Sequence, residues 1–270
     1  MLARTSTALL ALLLAVTMSL HGQDQAHGQD HAPSPDTTGP ISTDRPAVTD
    51  SSVVVPAGSL QVENGFLETS SQRQSVIDAP ESLVRFGLAK RTELRFTVPD
   101  YFHNLTTGDG GGSGFGDVAI GVKQQFGPTH GFDVSAIAFL SLPTGANGVS
   151  SGGYDPGLQV PWSRALSANW TAAGMFSVYW PTQGLTRNVT GEATFLFDRQ
   201  LAKPWDAFVE YAGDFPEAGG PRHLLHIGTA LKLAKQHQID FHVGVGLSSA
   251  AVDHFIGAGY SFRFQAIRRE

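Results

Sequence analysis

Ile239-Asp240-Phe241-His242-Val243-Gly244-Val245-Gly246-Leu247-Ser248 decides the fold. Apolar side chains stand at every second position, and small or polar ones fill the gaps. A period of two is that of a β-strand with one apolar and one polar face. The pattern returns at Ile256-Gly257-Ala258-Gly259-Tyr260-Ser261-Phe262-Arg263-Phe264, and around Val118–Phe126, Phe132–Leu142, Trp170–Trp180 and Val189–Asp198. Weaker copies lie near 58–69, 82–89, 92–99, 157–165, 205–213 and 223–233. Together they predict about twelve strands, an even number, and no helical period interrupts them.

The connections carry a second signal. Ala89 to Thr92, Gly127 to Gly131, Ala165 to Ala168 and Ala234 to His237 are tight, whereas Ser70 to Pro80, Asp100 to Gly114 and Pro143 to Pro156 are long and rich in Gly, Ser, Asp and Pro. Short turns on one rim and long loops on the other are the plan of outer-membrane barrels. Two connections depart from it: 249–254 is short for an outer loop, and 199–204 is long for an inner turn. Trp162, Trp170, Trp180, Trp205, Tyr211, Tyr260 and Phe264 fall at strand ends, where amphipathic rings form girdles at a membrane–water boundary. The fold class expected is all-β: an antiparallel transmembrane β-barrel over residues 58–264, with 265–270 as a tail.

Composition agrees. Of 270 residues, 41% are hydrophobic and only 16% charged, with 31 Gly and 17 Phe. A soluble β-sandwich also alternates, but it would crowd charge onto its outer face. The net charge of −6 argues against a nucleic-acid partner. The absence of Cys excludes disulfides, thiolate metal sites and Cys catalysis.

Residues 1–22 read as a secretory signal peptide: Arg4 supplies the positive start, and the apolar run Ala8–Leu20 is too short to span a bilayer. Residues 23–57 read as a disordered, polar, Pro-rich segment that the barrel can form without. Asp44, Arg45 and Asp50 are its residues able to fold into the lumen. His21-Gly22-Gln23-Asp24 repeats as His27-Gly28-Gln29-Asp30. That pattern could hold a metal weakly, but reads more simply as tether.

Several runs resemble one family. They are Ile41-Ser42-Thr43-Asp44-Arg45-Pro46, then Val48-Thr49-Asp50-Ser51 and Val55-Pro56-Ala57-Gly58-Ser59-Leu60-Gln61-Val62-Glu63-Asn64-Gly65. Arg85-Phe86-Gly87-Leu88, Glu93-Leu94-Arg95, Gly116–Lys123, Pro143-Thr144-Gly145 and Asp253–Tyr260 follow. Across roughly 41–264 the chain resembles the meta-pathway phenol degradation family of Gram-negative outer-membrane proteins. The resemblance implies transport of small molecules, aromatic ones among them, and brings no catalytic residues.

Alternation assigns the lumen face. Its acids are Glu63, Glu93, Asp117, Asp133, Glu192, Asp206, Glu210 and Asp240; its bases are Arg85, Arg95, Lys123, Lys232 and Arg263. Such charges either tune which solutes pass or pair and stiffen the interior. Phe139, Met175, Tyr179 and Phe208 share that face, so a narrow path is expected, with little ion current and a weak cation preference. No catalytic residue, metal site or cofactor is expected. The partners expected are outer-membrane lipid, the barrel-insertion machinery and a small solute.

Two alternatives stand beside the transporter. One is a barrel lipid hydrolase using Ser248, Ser249 and His254, though no acidic partner is spaced for it. The other is a soluble periplasmic β-domain. Gly148-Val149-Ser150-Ser151-Gly152 matches G-x-S-x-G but lacks the strand-to-helix turn of a nucleophile elbow. Gly108–Gly116 lacks the Gly-Lys-Ser/Thr of a phosphate loop. His223 and His226 fall on opposite faces of one strand, which rules out a shared metal.

Overall fold

The computed structural model describes residues 39–72, 74–105 and 113–267. Twelve antiparallel walls close into a barrel. We number them β1 (Ser59–Ser71), β2 (Gln74–Ala79 continuing as Leu83–Ala89), β3 (Thr92–Thr97 continuing as Tyr101–Asn104) and β4 (Gly114–Phe115 continuing as Val118–Gln125). Then come β5 (Asp133–Leu142), β6 (Asp155–Ser167), β7 (Trp170–Tyr179) and β8 (Thr190–Ala202). The last four are β9 (Trp205–Pro216), β10 (Arg222–Ala234), β11 (His237–Gly246) and β12 (His254–Gln265). β12 pairs back onto β1 from Ser59↔Gln265 to Ser70↔His254, so no edge remains open.

Alternation fixes which way each side chain points. Leu94↔Val122 and Phe96↔Ile120 pair on the outside of β3 and β4, while Glu93↔Lys123 pairs on the inside. Phe176, Phe195, Phe241, Val243 and Ile256 are all exposed on the barrel's exterior. A soluble surface does not carry so continuous an apolar belt; a bilayer requires one.

Aromatic and basic side chains gather where the belt ends. Near the short turns the Arg164 guanidinium lies 4.8 Å from the centre of the Phe132 ring, and that of Arg199 lies 5.1 Å from the Trp170 ring. Phe132 and Trp162 meet edge to face at 6.0 Å. On the same rim His237 Nδ1 and the Tyr260 hydroxyl are 2.6 Å apart.

Three connections differ from expectation. The stretch 70–80 is not a long loop: β1 and β2 continue as a hairpin, Leu67↔Asp78 to Ser71↔Gln74, because their alternation persists beyond the apolar belt. The short connection 249–254 turns inward, burying Ala251 and Val252 against Val48, Leu67 and Phe255. At 199–204 the strand runs on to Ala202 through a register shift between Gln200 and Ala202.

Residues 23–57, expected as a disordered tether, differ over their described part. Residues 41–52 are buried except for a half-buried Ser42, and the segment packs inside the barrel without forming a strand. The signal-peptide reading of 1–22 and the His/Asp repeat lie outside the described residues, as does most of the Gly-rich stretch 108–116.

Candidate functional site

The lumen contains the chain's own N-terminal segment. It enters at the short-turn rim, where Ile41 N donates to the Lys235 carbonyl at 2.6 Å and Arg263 Nη2 donates to the Gly39 carbonyl at 2.7 Å. It leaves at the same rim, where Gly58 N donates to the Gly87 carbonyl at 2.7 Å and β1 begins. Between these points the segment rises to an apex near Val48 and returns.

A Pro-rich irregular segment cannot satisfy its own backbone, and every buried N–H needs an acceptor. Three inward-facing glutamates supply acceptors for five of them. Glu63 Oε2 accepts from Asp44 N at 2.8 Å and Arg45 N at 3.0 Å. Glu210 accepts from Val48 N at 2.8 Å, Thr49 N at 2.8 Å and the Thr49 hydroxyl at 2.6 Å. Glu93 Oε2 accepts from Val55 N at 2.7 Å. Wall cations take carbonyls in turn: Lys123 Nζ donates to Ser51 O at 2.9 Å, and Arg85 Nη2 to Val53 O at 3.1 Å.

The side chains of the segment complete the lattice. The Asp44 carboxylate lies 3.0 Å from Arg85 and 3.3 Å from Lys123, and it also pairs with Arg95. Asp50 pairs with Arg95 at 3.2 Å. Glu63 and Glu93 bridge to Arg85 at 3.0 and 2.9 Å. All of these groups are buried. Unpaired buried charge is expensive, and removing one member of such a lattice strands its partners. The network therefore holds the segment in one register.

Arg45 occupies a slot in the wall. Its guanidinium reaches Glu81 at 2.5 Å and Asp240 at 3.5 Å. A Cβ placed on Gly65 would stand 2.2 Å from its Cζ, and one on Gly259 would stand 2.5 Å from its Nε. Glycines on β1 and β12 thus make the room that the arginine fills. Gly87 does the same for the returning chain, where a Cβ would meet the Pro56 carbonyl at 2.2 Å.

A buried polar chain links the apex to Arg45. Glu210 Oε2 lies 2.8 Å from His226 Nδ1, His226 Nε2 lies 3.0 Å from His242 Nδ1, and His242 Nε2 lies 3.4 Å from Arg45 Nη2. His226 points inward while His223 pairs outside with the Tyr211 hydroxyl at 2.7 Å, so the two do occupy opposite faces.

All thirteen candidate lumen residues are buried or half-buried, on the inward-pointing alternation. Eight of them, Glu63, Arg85, Glu93, Arg95, Lys123, Glu210, Asp240 and Arg263, touch the inserted segment. The others serve the wall and loops. Asp117 accepts from Gly145 N at 2.8 Å and Ser151 N at 3.0 Å. Asp133 accepts from Gln125 at 3.3 Å and Glu192 from Ser177 at 2.9 Å. Lys232 lies 3.5 Å from Asp206. Wall charges expected to pair with one another do so in Glu63–Arg85, Glu93–Arg85, Glu93–Arg95 and Glu93–Lys123, and Asp44 and Asp50 of the inserted segment join them. Glu81, His242 and the glycine slots are site residues that alternation alone does not single out. An Asp-Arg dipeptide in a Pro-rich run, facing a barrel with inward glycines, is the signal that points to them.

No hydrogen bond joins Ser248, Ser249 and His254 among the described residues. The Ser248 hydroxyl accepts from His223 N at 3.0 Å and donates to the Pro221 carbonyl at 2.9 Å. His254 is exposed.

Among solved structures, the fold is similar to the NanC porin, with TM-score 0.54 and 9% identity over 75% of this chain and 98% of that one. It is equally similar to the KdgM porin, with TM-score 0.54 and 9% identity over 76% and 99%. No curated protein matches the sequence. The family described as "Putative MetA-pathway of phenol degradation" matches residues 43–264, from the inserted segment through the last strand, and the chain belongs to that family.

Proposed function

We propose that this protein is an outer-membrane channel for passive passage of small, largely uncharged solutes, aromatic ones included, and that its own N-terminal segment restricts the path. On this reading residues 1–22 export the chain, the insertion machinery seats the barrel, and lipid covers its apolar belt. The observation that carries the proposal is the occupied lumen. Asp44, Glu63, Glu93, Arg85, Arg95 and Lys123 neutralise one another across the lower half of the barrel. A path so bounded offers ions neither continuous water nor a row of free charges. Met175, Tyr179 and Phe208 are buried, Phe208 against Ala47 of the segment, and half-buried Phe139 is the inward ring left to meet an uncharged solute. The family's description, phenol degradation, fits such a cargo.

Solute flux into liposomes tests this. Protein-containing vesicles should admit phenol-sized neutral solutes faster than empty vesicles, and should exclude charged solutes of equal size. Equal rates with and without protein would refute the transport reading.

A further inference from the structure

On the outside of the barrel, β6 and β8 end alike toward the short-turn rim. The outward positions of β6 are Leu158, Val160, Trp162, Arg164 and Leu166; those of β8 are Ala193, Phe195, Phe197, Arg199 and Leu201. Each strand sets one arginine behind its aromatics and one leucine beyond it. Both guanidiniums therefore stand where the apolar belt ends rather than out in the turns. They flank β7, Arg164 level with Ala172 and Arg199 level with Trp170. A charge at that depth is unfavourable unless something answers it.

Aromatic rings answer only part of it. Arg164 lies 4.8 Å from the centre of the Phe132 ring and Arg199 lies 5.1 Å from that of Trp170. A guanidinium over a ring uses its flat side, while its five N–H donors point outward in its plane. Among the described residues neither arginine has a carboxylate or hydrogen-bond partner. The nearby acids Asp133, Asp198 and Asp206 occupy inward positions. The exposed charges of the short turns, Lys90, Arg91, Lys203 and Lys235, are all basic.

Beside the two arginines the rings form a continuous platform. Phe132 meets Trp162 at 6.0 Å, Trp162 meets Phe195 at 5.9 Å, and Phe195 meets Phe197 at 5.0 Å. The Trp162 ring can lie across β7 because Gly174 has no side chain: a Cβ there would stand 2.9 Å from its Cζ2. The platform thus runs from the start of β5 to β8, with unspent cationic donors along its short-turn edge.

We propose that this face binds one anionic phospholipid, its phosphodiester accepting from Arg164 and Arg199 and its acyl chains lying along the ring platform. The guanidinium fork matches phosphate oxygens, and charge-assisted bonds of this kind are the strong ones. A zwitterionic headgroup brings an ammonium that meets no outward carboxylate here, so a headgroup of net negative charge is favoured. The short turns of such barrels face the periplasm, and the lipid comes from that leaflet. The site uses the outer surface alone and does not depend on what the lumen passes.

The test is tryptophan quenching in the folded full-length protein, reconstituted into phosphatidylcholine vesicles. A minor fraction of the lipid is brominated phosphatidylglycerol or, in parallel, brominated phosphatidylcholine. Trp162 and Trp170 report which lipid occupies the site. Phosphatidylglycerol should quench as though held about tenfold more tightly, since each basic side chain at a membrane surface favours anionic lipid by about fivefold. Arg164→Gln with Arg199→Gln should abolish the preference. Lys90→Gln with Arg91→Gln, in the β2–β3 turn away from the platform, should leave it intact. Heat-modifiable gel mobility confirms that each variant is folded. Equal quenching by the two lipids in the native protein, or a preference that survives loss of both arginines, would overturn the site. Loss of the preference in the Lys90/Arg91 variant would overturn it too, by showing a diffuse basic rim. Added glycerol phosphate should not displace the lipid; displacement would assign the arginines to a soluble anion and refute the lipid reading.

Discussion

Asp44 of the N-terminal segment and Arg85 of β2 lie 3.0 Å apart, both fully enclosed by the barrel. The pair joins a segment that has no regular structure to a wall that has nothing else. Arg95 and Lys123 converge on the same carboxylate. Asp44→Asn removes one of the two anions these three cations share, the other being Glu93 of the wall. Loss of one member of a buried pair costs about 3–5 kcal/mol, and here the cost falls on segment docking rather than on the strand ladder. Hydrogen exchange across 41–57 should rise steeply while exchange in the strands stays slow. Unchanged protection of 41–57 would mean that Glu63, Glu93 and Glu210 suffice to hold it.

Gly259→Leu tests the arginine slot. A side chain there meets Arg45 Nε at 2.5 Å and Asp240 Oδ1 at 2.8 Å. Arg45 must leave, stranding Glu81 and Asp240. Limited proteolysis should then cut within 41–57, which should resist in the native protein, while heat-modifiable mobility persists. Loss of the folded barrel itself would show that the slot serves the wall more than the segment.

Glu210→Gln addresses the apex. The carboxylate accepts from Val48 N, Thr49 N and the Thr49 hydroxyl and contacts His226. Hydrogen bonds to a charged group contribute about 1.5–3 kcal/mol each, and an amide replaces them with weaker ones. Exchange at Val48 and Thr49 should accelerate by about tenfold or more, with residues 53–57 unaffected. Equal rates in both proteins would place the latch elsewhere.

The faces can be inverted as a control. Val118, Phe195 and Val243 stand on the outside, next to inward Ala119, Thr194 and His242. Arg at each outward position should cost about 2–4 kcal/mol near the bilayer midplane and less toward the rims, measured by folding into lipid. If Arg at Ala119 or Thr194 destabilises while none of the outward replacements does, the faces are reversed.

Strand periodicity carries its own evidence in the sequence, which is why the walls and their facing are readable there. Asp240, His242 and Gly244 alternate with Phe241, Val243 and Val245, and the structure turns the first set inward and the second outward. The inserted segment has no period to read. Its position depends on contacts as distant in sequence as Arg45 with Asp240 and Thr49 with Glu210. Composition makes such a stretch resemble a tether, because Pro, Ser, Thr and Asp equally suit a chain in water and a chain whose backbone is satisfied by wall side chains. Gly65 and Gly259 likewise read as small lumen residues until the arginine between them is seen.

Planar-bilayer recording of the full-length protein bears most directly on the closed lumen. With 41–57 seated among Glu63, Glu93 and Glu210, the protein should reconstitute with little ion current above baseline and a weak preference for cations. Large, steady, porin-like conductance from the intact chain would show that the interior is open water and that the segment does not close it.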